Sequence, residues 1–290
     1  MFLGLILAIL VAIFWSLGEI SYSKLTRNLD RANIYLYQYL VRAIVYLSVV
    51  AIFNISLFTS FNIDHFFIFL PVILCDLIAS YILNIAVSNG KLSVTSPIMA
   101  AYPVVDIFLG LILLQEKIGV GEIILSIIIA ISIIFLAINQ KKSKHAPHPI
   151  KGIIFSIVYM LLVAFSVYFE KSAYIGDLSV FELYLFKGAV YFVASVLFMS
   201  VVGISPVKFK KPNIDIMNGS MITPIGNVLN SFALNFGNII IVTPVSSMYS
   251  VLTNILSRKV LKEKLSIKET ICISAILLST ILLIVCGLVP

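Results

Sequence analysis

Charged residues are scarce in this chain. Only 11% of its 290 residues are Asp, Glu, Lys or Arg, whereas a soluble domain carries roughly 25%. Hydrophobic residues make up 61%, and the mean hydropathy is +1.11. One globule cannot bury that much apolar surface, so the composition excludes an ordinary soluble domain and indicates a protein of the lipid bilayer.

Cysteine and histidine are also rare, with three of each. Cys75, Cys272 and Cys286 lie inside apolar runs and form no CxxC pair, so the sequence predicts neither a disulfide framework nor a metal site. His65 lies just outside a predicted span, and no histidine lies inside one. The chain has no Walker A pattern, no nucleophile elbow and no acidic metal motif. We therefore predict no enzyme activity, no ATPase domain and no cofactor.

The net charge of +7 does not indicate nucleic-acid binding here. Nearly all the basic residues lie in short segments between apolar runs, where they orient helices and contact anionic lipid heads. The expected macroscopic partner is therefore the bilayer, and no nucleic acid is expected.

Apolar runs of about 20 residues, the length that crosses a hydrocarbon core of roughly 30 Å, recur along the whole chain. They do not alternate as a transmembrane β-strand does, so we expect helices. The first run has no basic start and no clear cleavage site, which favours a retained span over a signal peptide. The ten predicted spans are residues 3–22, 34–58, 66–88, 92–114, 119–139, 150–173, 179–203, 214–236, 239–261 and 266–288.

One passage of the sequence occurs twice. The residues that return 147 positions later are Gly90, Pro97, Tyr102 and Glu116-Lys117, as Gly237, Pro244, Tyr249 and Glu263-Lys264. Each half holds five spans, and because five is odd, matching halves would lie upside down relative to each other. We therefore predict an all-α integral membrane fold of ten transmembrane helices in two inverted five-helix repeats, 1–140 and 150–290, joined by a basic linker at 141–149.

Three further features accompany the ten spans. They are a Trp-containing first helix (AIFWSLGEISYSK, 12–24), an Arg early in helix two (YQYLVRA, 37–43), and fourth and ninth helices that run from Pro to Glu-Lys. Over the whole chain this pattern resembles the EamA-like branch of the drug/metabolite transporter (DMT) superfamily. The second half departs from the pattern because it has no tryptophan, and Tyr159, Val163 and Phe165 occupy that region.

The resemblance implies a ten-helix carrier for small metabolites with a central cavity lined by both halves. Members export amino acids and other metabolites, and some take up solutes such as choline. The resemblance also implies that both termini lie inside the cell.

The distribution of Lys and Arg predicts the opposite orientation. Odd-numbered connections hold 16 of the 20 basic residues, and even-numbered connections hold only Lys117 and Lys171, while Arg42 and Lys187 lie inside spans. The positive-inside rule places the odd-numbered connections in the cytoplasm. We therefore predict a multi-pass protein of the cell membrane with both termini outside.

Polar residues inside spans are costly, at roughly 2.5–3.5 kcal/mol for a charge at the bilayer centre, so they mark candidate sites. Tyrosine faces and carboxylates suit an ammonium group, whereas Arg42 or Lys187 suits a carboxylate. The candidate substrate-binding residues are Trp15, Glu19, Arg42, Asp76, Ser80, Asn84, Tyr102, Asp106, Asn227, Asn230, Tyr249 and Thr253.

Each group of candidates also has a purely structural interpretation, in which polar residues join helices and tyrosines pack between the halves. These alternatives are helix-to-helix contacts for Asp76, Ser80 and Asn84, an ion pair of Glu19 with Lys24, snorkelling or an ion pair for Arg42, and packing for Tyr102 and Tyr249.

The function predicted from these features is secondary transport of small polar metabolites by alternating access. We expect amino acids or related zwitterions and amines as substrates, moved by efflux or exchange, and a chain that is a monomer or homodimer. Glu19, Asp76 and Asp106 are the proton-coupling candidates, and Pro97 and Pro244 the hinge candidates. The alternatives are an uptake carrier for a quaternary amine such as choline and, in another class, an integral-membrane lipid-handling enzyme or a partner subunit.

Overall fold

A computed structural model of the chain describes residues 2–28, 31–115, 148–202, 214–260 and 266–288, with short stretches of one to three residues between 119 and 135. All regular secondary structure within these ranges is helical. The helices are α1 (Phe2–Asn28), α2 (Arg31–Phe53), α3 (Leu57–Ser60), α4 (Ile63–Asn89), α5 (Leu92–Met99), α6 (Tyr102–Leu113), α7 (Pro149–Ile175), α8 (Val180–Val202), α9 (Ile214–Phe236), α10 (Ile239–Ser247), α11 (Tyr249–Val260) and α12 (Ile267–Leu288).

The outer surface of the protein is apolar. Ile52 is 75% exposed and Ile112 is 68% exposed, and such a surface is stable against lipid rather than water. Seven stretches of the described residues are long and apolar enough to cross a membrane, namely Phe2–Lys24, Ile34–Phe53, Ile63–Asn89, Leu92–Leu113, Pro149–Ile175, Val180–Leu197 and Ile239–Ser257. The chain is therefore a multi-pass, all-helical membrane protein.

The count of ten spans and the division into domains at 1–140, 141–149 and 150–290 stay predictions. Most of the predicted span 119–139, most of the linker and both Glu-Lys pairs lie outside the described residues.

Two of the predicted spans are not continuous helices. Span 92–114 breaks at Ala100 and Ala101 between α5 and α6, and span 239–261 breaks at Met248 between α10 and α11. In the first break, Pro103 has no N–H to donate to the carbonyl of Met99, four residues earlier. The predicted fourth and ninth helices therefore each consist of two helical pieces, with Pro97 and Pro244 in the first piece.

Helix two is also shorter than predicted. It ends at Phe53 rather than near residue 58, and the short α3 follows. The Ser56 Oγ donates to the Asn54 Oδ1 at 2.9 Å, and such local side-chain bonds compete with continuation of a helix.

The repeat in the sequence is also a repeat of helix bounds. The bounds 92, 102 and 113 of α5 and α6 become 239, 249 and 260 of α10 and α11 when 147 is added. The same shift carries the bounds of α1, 2 and 28, onto the bounds of α7, 149 and 175.

The main helix contacts join a helix of the first half to a helix of the second half. Helix α1 packs on α9, α4 packs on α7, α2 packs on α8, and the broken helices pair crosswise, α5 with α11 and α6 with α10. The Asn254 Nδ2 donates to the carbonyl of Ser93 at 2.9 Å. The Tyr102 hydroxyl donates to the backbone carbonyl of Thr243 at 3.4 Å. The core of the molecule therefore lies between interlocked helices of the two halves.

Two glycine pairs let helix backbones approach closely, one where α7 meets the end of α4 and one where α1 meets the end of α9. A Cβ on Gly152 of α7 would lie 2.8 Å from the Cα of Gly90, and one on Gly4 of α1 would lie 3.3 Å from the Cα of Gly237. Small residues let helix backbones approach in membranes, where van der Waals packing drives association.

Candidate functional site

A cavity lies between the two halves. Its walls come from α1, α2, α4 and α6 of the first half and from α7, α8, α9 and α11 of the second. Its volume is about 90 Å³, several times the roughly 10–15 Å³ that one water needs. Nine of the predicted binding residues line it, namely Trp15, Glu19, Arg42, Asp76, Ser80, Tyr102, Asn227, Asn230 and Tyr249.

One end of the cavity combines a carboxylate with aromatic rings. We call the lining residues Trp15, Glu19, Tyr22, Tyr159 and Tyr249 the Glu19 end. Glu19 is 7% exposed, and the Ser96 Oγ donates to its Oε2 at 2.5 Å. Trp15 lies one helical turn earlier, and its ring meets that of Tyr249 edge to face at 5.6 Å between centroids. A buried carboxylate therefore lies beside several aromatic faces.

The indole of Trp15 is fixed by a hydrogen-bonded chain. Its Nε1 donates to the Asn227 Oδ1 at 2.9 Å, and the Asn227 Nδ2 donates to the Tyr46 hydroxyl at 2.9 Å. A Cβ on Gly226 would lie 2.7 Å from the indole Cδ1, so the glycine leaves room for the ring. Tryptophan is thus held in one orientation in the cavity wall by helices of both halves.

The other end of the cavity holds two carboxylates and one ammonium group. We call the lining residues Asp76, Ser166, Glu170, Tyr184, Lys187 and Ser231 the Lys187 end. The Lys187 Nζ lies 2.6 Å from the Asp76 Oδ2 and 3.6 Å from the Glu170 Oε2. The Ser166 Oγ donates to the Asp76 Oδ1 at 2.7 Å. Lys187 of α8 therefore joins α4, which carries Asp76, to α7, which carries Glu170.

Hydroxyl groups complete the Lys187 end. The Tyr174 hydroxyl donates to the Glu170 Oε1 at 2.9 Å, and the hydroxyls of Tyr184 and Ser231 lie 2.6 Å apart. The ammonium of Lys187 lies 5.4 Å from the centroid of the Tyr184 ring, within cation–π range. These charges thus have partners within the protein.

Arg42 lies in the cavity wall among neutral groups. Its Nη1 donates to the Ser80 Oγ and, at 3.3 Å, to the Tyr191 hydroxyl. Its Nη2 donates to the Tyr22 hydroxyl at 3.5 Å, and its guanidinium carbon lies 5.6 Å from the centroid of the Tyr191 ring. The side chain is 4% exposed, which argues against snorkelling to the membrane surface.

Three predicted residues lie outside the cavity lining. Asn84 exchanges amide hydrogen bonds with Gln38 at 3.0 and 3.4 Å, which is the helix-to-helix contact of the structural interpretation. Thr253 is buried close to the Glu19 carboxylate, and Asp106 is fully buried on α6. Glu19 is itself buried with Ser96 as its partner, rather than paired with Lys24 near the surface.

Sequence reasoning missed Glu170. It stands next to Lys171 near the end of its predicted span, just as the repeated Glu-Lys pairs stand at the ends of the fourth and ninth helices. The structure separates the two side chains, because Lys171 donates to the carbonyls of Leu234 and Gly237 at 2.9 and 2.8 Å. The available sequence signal for an inward face was Tyr174, which lies four residues later and therefore on the same helix face.

The placement of His65 outside a span was also wrong. It lies in the first turn of α4, and its Nδ1 is 2.9 Å from the Glu182 Oε1 at the start of α8. The helix begins at Ile63, one turn before the apolar run from residue 66 on which the predicted span was based, and this first turn includes His65. The pair is separate from the cavity lining.

Comparison with known proteins gives a family and a fold. The EamA-like transporter family matches residues 2–138. A solved structure titled "Crystal structure of protein" has a TM-score of 0.67 and 12% identity, over 96% of this chain and 94% of that chain. A likeness at that identity shows the fold alone, and the comparison with curated proteins found no match. The match over residues 2–138 supports membership of the chain in the EamA-like transporter family of the DMT superfamily.

Proposed function

We propose that the protein is a secondary transporter that moves small organic amines, including amino acids and related zwitterions, across the cell membrane. The observation that carries the proposal is the Glu19 end, where a buried carboxylate faces the cavity beside four aromatic residues. A carboxylate gives an ammonium group a charge-assisted hydrogen bond. Trp and Tyr faces attract the same cation through their ring quadrupoles.

The arrangement of helices supports alternating access. The cavity is lined by both halves, and the helix bounds repeat with a shift of 147. Two inverted repeats can exchange conformations and thereby open the cavity to one side or the other. We propose Pro97 in α5 and Pro244 in α10 as hinges, since each lies inside the first piece of a broken helix.

The driving force we propose is a proton gradient or exchange of substrates. Among the three coupling candidates, Glu19 and Asp76 line the cavity, where a proton and an ammonium group can compete for one carboxylate. Asp106 lies outside the lining, so it is the weakest of the three. Efflux or exchange is the proposed direction, and a monomer or homodimer the proposed assembly.

The orientation proposed from the charge bias places both termini outside the cell. A reporter tag at the C-terminus is then accessible on intact cells. Labelling that needs permeabilised cells overturns this orientation without affecting the proposal of transport.

Uptake of a quaternary amine such as choline is the second candidate. The aromatic faces of Trp15, Tyr22, Tyr159 and Tyr249 favour it, because a quaternary ammonium group has no N–H to donate and relies on such rings. No observation on the described residues favours a lipid-handling enzyme or a partner subunit, and neither is proposed.

Counterflow in proteoliposomes tests the proposal. Vesicles loaded with an unlabelled amine or amino acid should accumulate the labelled compound, and Glu19→Gln vesicles should accumulate much less. Phenethylamine, phenylalanine, choline and glycine betaine form the test set, with protein-free vesicles as the control. If the wild-type protein accumulates none of the four under counterflow or under any ion gradient, the proposal is wrong.

A further inference from the structure

The two buried basic residues of the cavity differ in their partners. Lys187 lies between Asp76 and Glu170, so its charge is compensated by the protein. Among the described residues, no Asp or Glu forms an ion pair with Arg42. Its partners are the hydroxyls of Ser80, Tyr191 and Tyr22.

The guanidinium of Arg42 also has a donor left over. Its Nε is buried and finds no hydrogen-bond acceptor among the described residues. A guanidinium has five N–H donors in a planar fork that matches a carboxylate. Charged groups inside a membrane protein normally pair or line a substrate path, because an uncompensated buried charge is costly. A cavity-lining arginine with neutral partners and a free donor is therefore suited to an external anion.

We propose that Arg42, rather than Lys187, binds the carboxylate of a zwitterionic substrate whose ammonium group lies at the Glu19 end. The inference rests on the proposed function and names the substrate class within it.

The positions of Glu19 and Arg42 support binding of one small molecule by both residues. Glu19 and Tyr22 are three residues apart on α1 and share a helix face, with roughly 5–6 Å between Cβ atoms. The Tyr22 hydroxyl in turn contacts the Arg42 Nη2. Tyr22 therefore shares a helix face with the proposed ammonium site and contacts the proposed carboxylate site.

The alternative anion site, Lys187, would have to give up existing partners. A substrate carboxylate at Lys187 would displace Asp76 from a contact of 2.6 Å and would bring a third negative group beside Asp76 and Glu170. Arg42 requires no such displacement. The charges around each base thus favour Arg42.

Matched ligand pairs that differ in a carboxylate test the inference. Phenylalanine is compared with phenethylamine, and glycine betaine with choline, by calorimetric titration of the purified wild-type protein. A bidentate arginine–carboxylate contact consists of two charge-assisted hydrogen bonds, so the carboxylate-bearing member should bind at least about tenfold more tightly. Arg42→Gln should reduce that ratio to about one, because only the carboxylate loses its partner.

Two further variants control the experiment. Arg42→Lys keeps the charge without the planar fork and should give an intermediate ratio. Lys151→Gln removes an exposed positive charge outside the cavity and should leave the ratio unchanged. If Arg42→Gln does not yield folded protein, the affinity ratios of the wild type and of Arg42→Lys still test the inference.

The outcomes separate this inference from the proposed function. Amines that bind as tightly as their carboxylate-bearing partners overturn the role of Arg42 and leave the amine carrier standing. A ratio that Arg42→Gln does not change also overturns it. If the wild-type protein binds neither member of either pair, the proposed function fails and this inference fails with it.

Discussion

The two ends of the cavity handle buried charge in opposite ways. At the Lys187 end, one ammonium group lies within 3.6 Å of an oxygen of each of two carboxylates. At the Glu19 end, the carboxylate is held by the neutral hydroxyl of Ser96 beside aromatic rings. Charges that compensate each other stabilise the helix bundle, whereas a charge held only by neutral groups is free to act on a ligand. The comparison therefore separates a structural end from a binding end.

Removing the base of the Lys187 end should have the largest effect. Lys187→Met leaves the buried Glu170 and the partly buried Asp76 without their shared partner, which should lower the free energy of unfolding by about 3–5 kcal/mol. Thermal unfolding in detergent measures the loss. Lys268→Met, at an exposed position of α12, should change stability by less than about 0.5 kcal/mol. A Lys187→Met protein as stable as the wild type would erase the distinction between the two ends.

Neutralising the acid of the Glu19 end should reduce binding rather than stability. Glu19→Gln removes a charge-assisted interaction of about 1.5–3 kcal/mol, so affinity for phenethylamine should fall roughly 10- to 100-fold. Calorimetric titration measures the change. Asp64→Asn, at an exposed position in the first turn of α4, is the matched control. Unchanged affinity in Glu19→Gln means that the ammonium group lies elsewhere.

Removing one ring from the Glu19 end should have a smaller effect. A cation–π contact is worth about 0.5–2 kcal/mol, so Tyr249→Leu should weaken amine binding roughly threefold to tenfold, while Tyr249→Phe keeps the ring and the affinity. The comparison variant is Tyr81→Leu, at a 46% exposed position outside the cavity. If Tyr249→Phe binds as weakly as Tyr249→Leu, the hydroxyl rather than the ring is the important group.

The hinge candidates belong to neither end and should affect binding least. Pro97→Ala and Pro244→Ala restore backbone donors inside broken helices, so they should slow counterflow while affinity changes less than about twofold, a difference of only about 0.4 kcal/mol. Pro71→Ala, inside the unbroken α4, is the control and should transport at the wild-type rate. Equal slowing by all three variants indicates a general effect of proline and contradicts specific hinges.

The sequence predicted the features that repeat or that depend on length and hydropathy. A shift of 147 residues aligned Gly90, Pro97 and Tyr102 with their counterparts, and the helix bounds follow the same shift. Asp76, Ser80 and Asn84 of α4 were likewise predicted as binding residues, and Asp76 and Ser80 line the cavity.

What could not be predicted depends on partners that are distant in the chain. The pairing of Lys187 with Asp76 joins residues from different halves, and no local pattern indicates it. Glu170 was missed because its neighbour Lys171 gave the pair the pattern of a helix end. Pro97 was the proline predicted to be the hinge of this span, whereas Pro103 removes the N–H at the break before Tyr102.

The central claim is that amines bind at the Glu19 end, and Trp15 reports on that end directly. The chain has a single tryptophan, and its ring lies in the cavity wall, so its fluorescence reports this site alone. Titration of the purified protein with phenethylamine should give a saturable change in emission that Glu19→Gln strongly weakens. A protein that transports phenethylamine in counterflow without any saturable change in Trp15 emission would contradict the claim.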